Sequence, residues 1–71
     1  MNKDHLTSLL RQIRVEANLT QLQLAEHLGH AQSYVSKYET GEQRLDLIEL
    51  DAICNAVGVP LTTFIERACE A

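Results

Sequence analysis

Residues 19–44 read LTQLQLAEHLGHAQSYVSKYETGEQR, and the fold turns on this stretch. Thr20 is placed to cap a helix, Gln23 sits at the reciprocal position of a capping box, and Leu19 can staple onto Leu24. The spacing predicts a helix from Gln21 to Leu28, closed by Gly29, a residue that takes positive φ at no steric cost. A further helix is predicted from Gln32 to Thr40, burying Val35 and Tyr38 and ending at Gly41. Only Gly29, His30 and Ala31 separate the two, so their axes must cross steeply. Ala25 supplies the small residue where such helices approach, and Leu24, Leu28, Val35 and Tyr38 the apolar contacts around the turn.

Working outward, Leu6, Leu9, Leu10, Ile13 and Ala17 recur at three- and four-residue spacing and mark one face of an upstream helix. Asn18 ends it, because Asn tolerates the left-handed conformation found at helix C-termini. Downstream, Asp46 and Glu49 repeat the capping-box pattern, with Leu45 and Leu50 placed to staple it. Leu47, Leu50, Ile53, Cys54 and Val57 form the next apolar stripe, and Gly58 stops it. Pro60 then opens a last helix carrying Leu61, Phe64, Ile65 and Ala68. No segment alternates with period two. The expectation is a compact all-α, five-helix domain whose second and third helices form a helix-turn-helix unit.

Composition agrees with one small helical core. The chain has 71 residues, 45% of them apolar, with two Tyr, one Phe and no Trp, so aliphatic side chains and Ala must fill the interior. No run approaches the roughly 18 apolar residues of a membrane span, which predicts a cytoplasmic chain with no membrane partner. Cys54 and Cys69 fit neither a disulfide framework nor a zinc pattern and read as reduced thiols. His27 and His30 have no third ligand placed beside them, so no metal site is expected. Nothing resembles a nucleophile with its base, a phosphate-cradling glycine loop or a paired carboxylate site. The chain reads as a non-enzyme without a cofactor.

Residues 19–44 resemble the lambda-repressor-like, xenobiotic-response-element (XRE) type of helix-turn-helix regulator. LDLIELDAICNAVGVPLTTFI, residues 45–65, resembles that family's fourth and fifth helices, so the likeness spans nearly the whole chain. The resemblance implies a sequence-specific, double-stranded DNA-binding transcriptional regulator of bacterial or phage type. It implies a palindromic operator bound by a homodimer, as in phage or plasmid repressors and restriction-modification controllers. Residues 1–71 would form one DNA-binding domain, with helices 4 and 5 also serving dimerisation.

With the family supplying the orientation, helix 3 lies in the major groove and turns Gln32, Ser33, Ser36 and Lys37 to base edges. Gln can pair bidentately with adenine, and Lys can donate to guanine, so Gln32 is the foremost reader. Gln21, at a helix N-terminus with free backbone N–H groups, is a phosphate contact, and Tyr34, Thr40, Arg44 and Arg14 are the others. Arg14 and Glu39 correspond to an ion pair tying helix 1 to the end of helix 3. Ile48, Leu61 and Ile65 are the expected dimer contacts.

The chain departs from the family pattern in three places. His30 and Ala31 replace the usual apolar residue and Ser or Thr cap, which predicts a helix 3 without cap or staple and a frayed first turn. Arg44 has Glu42 and Gln43 beside it where basic residues are common. The net charge of −4 also argues against a nucleic-acid partner at face value. Counted by region, however, Lys3, Arg11, Arg14 and Lys37 balance Asp4, Glu16, Glu26 and Glu39, so the whole excess falls after residue 41. Few phosphate contacts and a shallow salt dependence follow. Two other functions fit the same motif: an antitoxin that binds its own operator and a toxin partner, and a protein-interaction module that has lost DNA binding.

Overall fold

The computed structural model describes residues 1–70. They form α1 (Lys3–Glu16), α2 (Gln21–Leu28), α3 (Gln32–Thr40), α4 (Leu47–Val57) and α5 (Leu61–Cys69), with no strand among them. Helix ends follow their local chemistry. Asn2 accepts from the His5 backbone N–H at 2.8 Å and caps α1. Asn18 takes φ 59°, the left-handed turn expected of it. Both capping boxes close: Gln23 N–H donates to Thr20 Oγ1 at 3.1 Å and Thr20 N–H to Gln23 Oε1 at 2.9 Å, and Glu49 and Asp46 exchange the same bonds at 2.7 and 3.0 Å.

α2 and α3 pack on each other across Gly29, whose φ of +72° is the conformation that lets the chain reverse there. α1 closes over α3, while α4 packs on α2 and on α5, and α5 returns to α1. The core combines Leu9, Leu10 and Ile13 of α1, Leu24 and Ala25 of α2, and Val35 and Tyr38 of α3. Ile53 and Cys54 of α4 and Phe64 and Ala68 of α5 complete it. Leu19 and Leu45, the residues before the two capping boxes, pack against this cluster.

One expectation about packing needs correction, and a second gains a contact that was not foreseen. Leu47, read as part of the α4 core stripe, is 64% exposed. It occupies the first turn of α4, where Leu50 packs on the core and Leu47 does not, and periodicity alone cannot show which apolar residue of a turn is covered. The second concerns α3. Its N-cap Ala31 makes no side-chain bond, as the sequence implied. His30 does stack on Tyr34, with ring centroids 3.9 Å apart and planes 12° from parallel, one residue short of the N′-to-N4 spacing of a staple. The aromatic stack supports the first turn from the side, while the cap itself is missing. The backbone N–H groups of Gln32 and Ser33 therefore lack a side-chain acceptor, and they are expected to exchange faster in hydrogen-exchange NMR than the capped first turn of α2. Equal protection in the two turns would contradict this.

Candidate nucleic-acid interface

The outward side of α3 carries Gln32, Ser33 and Lys37 exposed and Ser36 half-buried, while Val35, Tyr38 and Glu39 face the core. Among the described residues, none of these four outward side chains makes a hydrogen bond or ion pair within the chain. A helix interior positions them, and their donors and acceptors are unspent.

The base of this helix is fixed by a buried carboxylate. Glu39 is 3% exposed, yet it is fully engaged. Arg14 Nε donates to Glu39 Oε2 at 2.7 Å and Nη2 to Oε1 at 3.1 Å, a bidentate pair that joins α1 to α3. Arg14 Nη1 donates to the Leu19 carbonyl at 2.9 Å, tying in the loop before α2. Its hydrogen bonds to Glu39 hold the Arg14 guanidinium pKa above its ordinary value despite burial. Gln21 Nε2 also donates to Glu39 Oε1, at 3.2 Å, and Arg11 Nε stands 3.6 Å from the same oxygen. Gln21 and Arg11 are thus members of this cluster, which sequence reasoning missed. For Arg11 the signal was available: Arg11 and Arg14 lie three apart on one helix and so share a face.

Arg14 and Gln21 consequently have structural partners on the side where phosphate contacts were expected. The Arg14 side chain is only 12% exposed, and three of its donors point into the protein. Thr40 is exposed, and its hydroxyl donates to the Lys37 carbonyl at 3.1 Å, a local bond that rotation of the hydroxyl can exchange. Arg44 is exposed, and neither it nor Lys37 takes part in an ion pair among the described residues.

Tyr34 makes intrachain contacts that sequence reasoning missed. Its hydroxyl donates to Glu49 Oε2 at 2.9 Å, its ring is held between His30 and the edge of Tyr38, and it links α3 to α4. The bond braces α3 against α4 and engages the hydroxyl that was expected to meet phosphate. Burial, the bond to Glu49 and the nearby carboxylates push its pKa up from 10.0 to about 12. A group whose pKa is raised on folding adds stability below its unfolded value and loses it as pH rises through the folded one. Melting temperature should therefore hold up to pH 10.0 and fall towards about pH 12, with Tyr34→Phe falling less steeply in that window when melts are followed by circular dichroism. Burial raises the Tyr38 hydroxyl as well, which steepens the alkaline loss in both proteins.

Ile48 is 81% exposed and Ile65 is exposed, whereas Leu61 is half-buried against the core. Leu47 adds a second apolar side chain beside Ile48 that sequence reasoning had placed inside. Among the described residues no group of three or more His, Cys, Asp or Glu side chains comes together. No single helix is long and apolar enough to cross a membrane. Cys54 is buried and Cys69 exposed, both as free thiols.

The sequence profile described as helix-turn-helix matches residues 10–64, more than half of the chain. The chain belongs to the XRE type of helix-turn-helix proteins. These are DNA-binding transcriptional regulators. Among solved structures, an XRE-family like protein from Pseudomonas syringae pv. tomato is 38% identical, with a TM-score of 0.87, covering 93% of this chain and 80% of that one. The clp gene regulator ClgR from Corynebacterium glutamicum is 26% identical, with a TM-score of 0.84 over 93% of this chain and 70% of that one. A comparison with curated proteins returns no match. Both neighbours match over nearly the whole chain, α2 and α3 within it.

Proposed function

We propose that this XRE-type protein acts as a repressor that binds a palindromic duplex operator as a homodimer, with α3 of each copy in the major groove. The observation that carries this reading is the row of unspent hydrogen-bonding side chains on the outward side of α3. Gln32 is the principal base reader, through the two bonds that an amide can exchange with adenine, and Lys37 donates to guanine. Ser33 and Ser36 complete the face. Gln21, Thr40 and Arg44 frame it with phosphate contacts, and Arg14 acts mainly by holding Gln21 and α3 in place through Glu39.

The dimer follows from size. The chain measures 30 Å along its longest axis and has one such helix, whereas successive major-groove faces on one side of B-DNA are about 34 Å apart. A second copy is needed to reach the second groove. Ile48, Leu61 and Ile65, on α4 and α5, are proposed to pair the copies, with exposed Leu47 extending the patch.

Selection of bound sequences from random duplex DNA tests the reading, and an enriched inverted repeat is the expected result. No enrichment, with the chain folded, would overturn it in favour of a protein-interaction module. Gln32→Ala should weaken binding to the selected site by about 1 to 3 kcal/mol and relax preference at one base pair, with the melting temperature unchanged. Sedimentation in reductant, which removes any bridge through Cys69, should give twice the 8.0 kDa monomer mass, and Ile48→Asp should restore the monomer.

A further inference from the structure

A cavity of about 350 Å³ opens between the start of α1 and the loop that joins α3 to α4. Leu6 and Leu10 from α1 and Leu45 and Leu50 from the α4 side give it an apolar wall. Lys3 and Arg44, both exposed, stand at its mouth, and no Asp or Glu lines it. Neither cation is ion-paired among the described residues. The Lys3 side chain lies across Gly41, where a Cβ would come 2.5 Å from Lys3 Cε.

Tyr38 also forms part of the wall. Its hydroxyl is the one buried side-chain polar atom without a hydrogen-bond partner among the described residues. The volume is at the lower end for small-molecule sites, which combine apolar walls with a few placed polar groups.

We propose that this cavity binds a small monocarboxylic acid with an apolar tail. The tail occupies the leucine wall, and the carboxylate meets Lys3 and Arg44. A purely apolar molecule would leave both cations unused, and a compact anion such as phosphate would leave the leucines unused; an amphipathic carboxylate satisfies both. Because Arg44 is proposed above as a phosphate contact, an acid held here withdraws that cation from DNA. This regulatory step rests on the DNA-binding reading, whereas the site itself does not.

Octanoate is a suitable probe. Titrated into the 71-residue chain without DNA, it should give saturable NMR shifts at Leu6, Leu10, Leu45 and Leu50, while acetate and octanol bind at least about tenfold more weakly. Lys3→Glu, an exposed change that spares the core, should weaken octanoate by about fivefold. Shifts that do not saturate or lie elsewhere, or an undiminished affinity in Lys3→Glu, would overturn the site. On the selected operator, saturating octanoate on both copies should reduce the salt slope by about 1.8, the loss of one phosphate contact per copy at about 0.9 each. An unchanged slope with octanoate bound would overturn the regulatory step alone. Failure to bind any DNA would count against the DNA-binding reading and leave the octanoate titration to judge the site.

Discussion

Arg14→Ala is expected to destabilise the fold by about 3 to 5 kcal/mol, because removing one partner of a buried ion pair leaves the other charge uncompensated. Glu39 has no route to water, its side chain being fully buried. Of its remaining neighbours, Gln21 offers a neutral amide and Arg11 lies at 3.6 Å on an exposed side chain. Neither replaces a bidentate guanidinium. The substitution also removes the bond to the Leu19 carbonyl, which holds the loop leading into α2. Small domains hold only about 5 to 15 kcal/mol in all, so the variant should sit near its unfolding midpoint at physiological temperature. For a domain of this size the melting temperature should drop by about 15 to 30 °C. DNA affinity should fall with it, since both helices of the reading unit lose their common anchor. Thermal melts and binding measured on the same preparation check this. An unchanged melting temperature with lost binding would show instead that Arg14 serves as a phosphate contact alone.

Phe64→Ala should cost a similar amount, about 3 to 5 kcal/mol, for a different reason. Phe64 is fully buried and is the chain's only phenylalanine. With Ala68 it supplies the buried face of α5, which packs on α1 and α4. The hole it leaves can be closed only by moving a nine-residue helix, and that helix has one ion pair to the rest of the protein, Arg67 to Glu16 at 3.3 Å between exposed groups. Exposed pairs of that kind contribute little. Urea unfolding should show a lower midpoint, and the proposed dimer should dissociate, because α5 carries Leu61 and Ile65. A midpoint shift under about 1 kcal/mol would mean that the core repacks around the smaller residue.

The two variants separate what the sequence alone determined from what required the tertiary structure. Helix boundaries were legible from the end of α1 to the start of α5 because their causes are local, whereas the Asn2 cap of α1 was not foreseen. A capping box acts over three residues, as at Thr20 with Gln23 and Asp46 with Glu49, and a left-handed end needs a single residue, as at Asn18 and Gly29. The short link between α2 and α3 likewise forces their crossing. Within the candidate interface, the outward placement of Gln32, Ser33 and Lys37 followed from helical period once Val35 and Tyr38 were assigned to the core.

What the sequence could not supply are contacts between residues far apart in it. Tyr34 reaches Glu49 fifteen residues on, and Arg14 reaches Glu39 across twenty-five, a pairing read from family likeness and not from spacing. Gln21 and Arg11 join that carboxylate only because three elements meet there. Leu47 lies outside the core although Leu50 of the same turn packs on it, and the cavity exists because α1 and the α3–α4 loop leave space between them. Periodicity tells which side of a helix is apolar, and only packing decides what, if anything, lies against it.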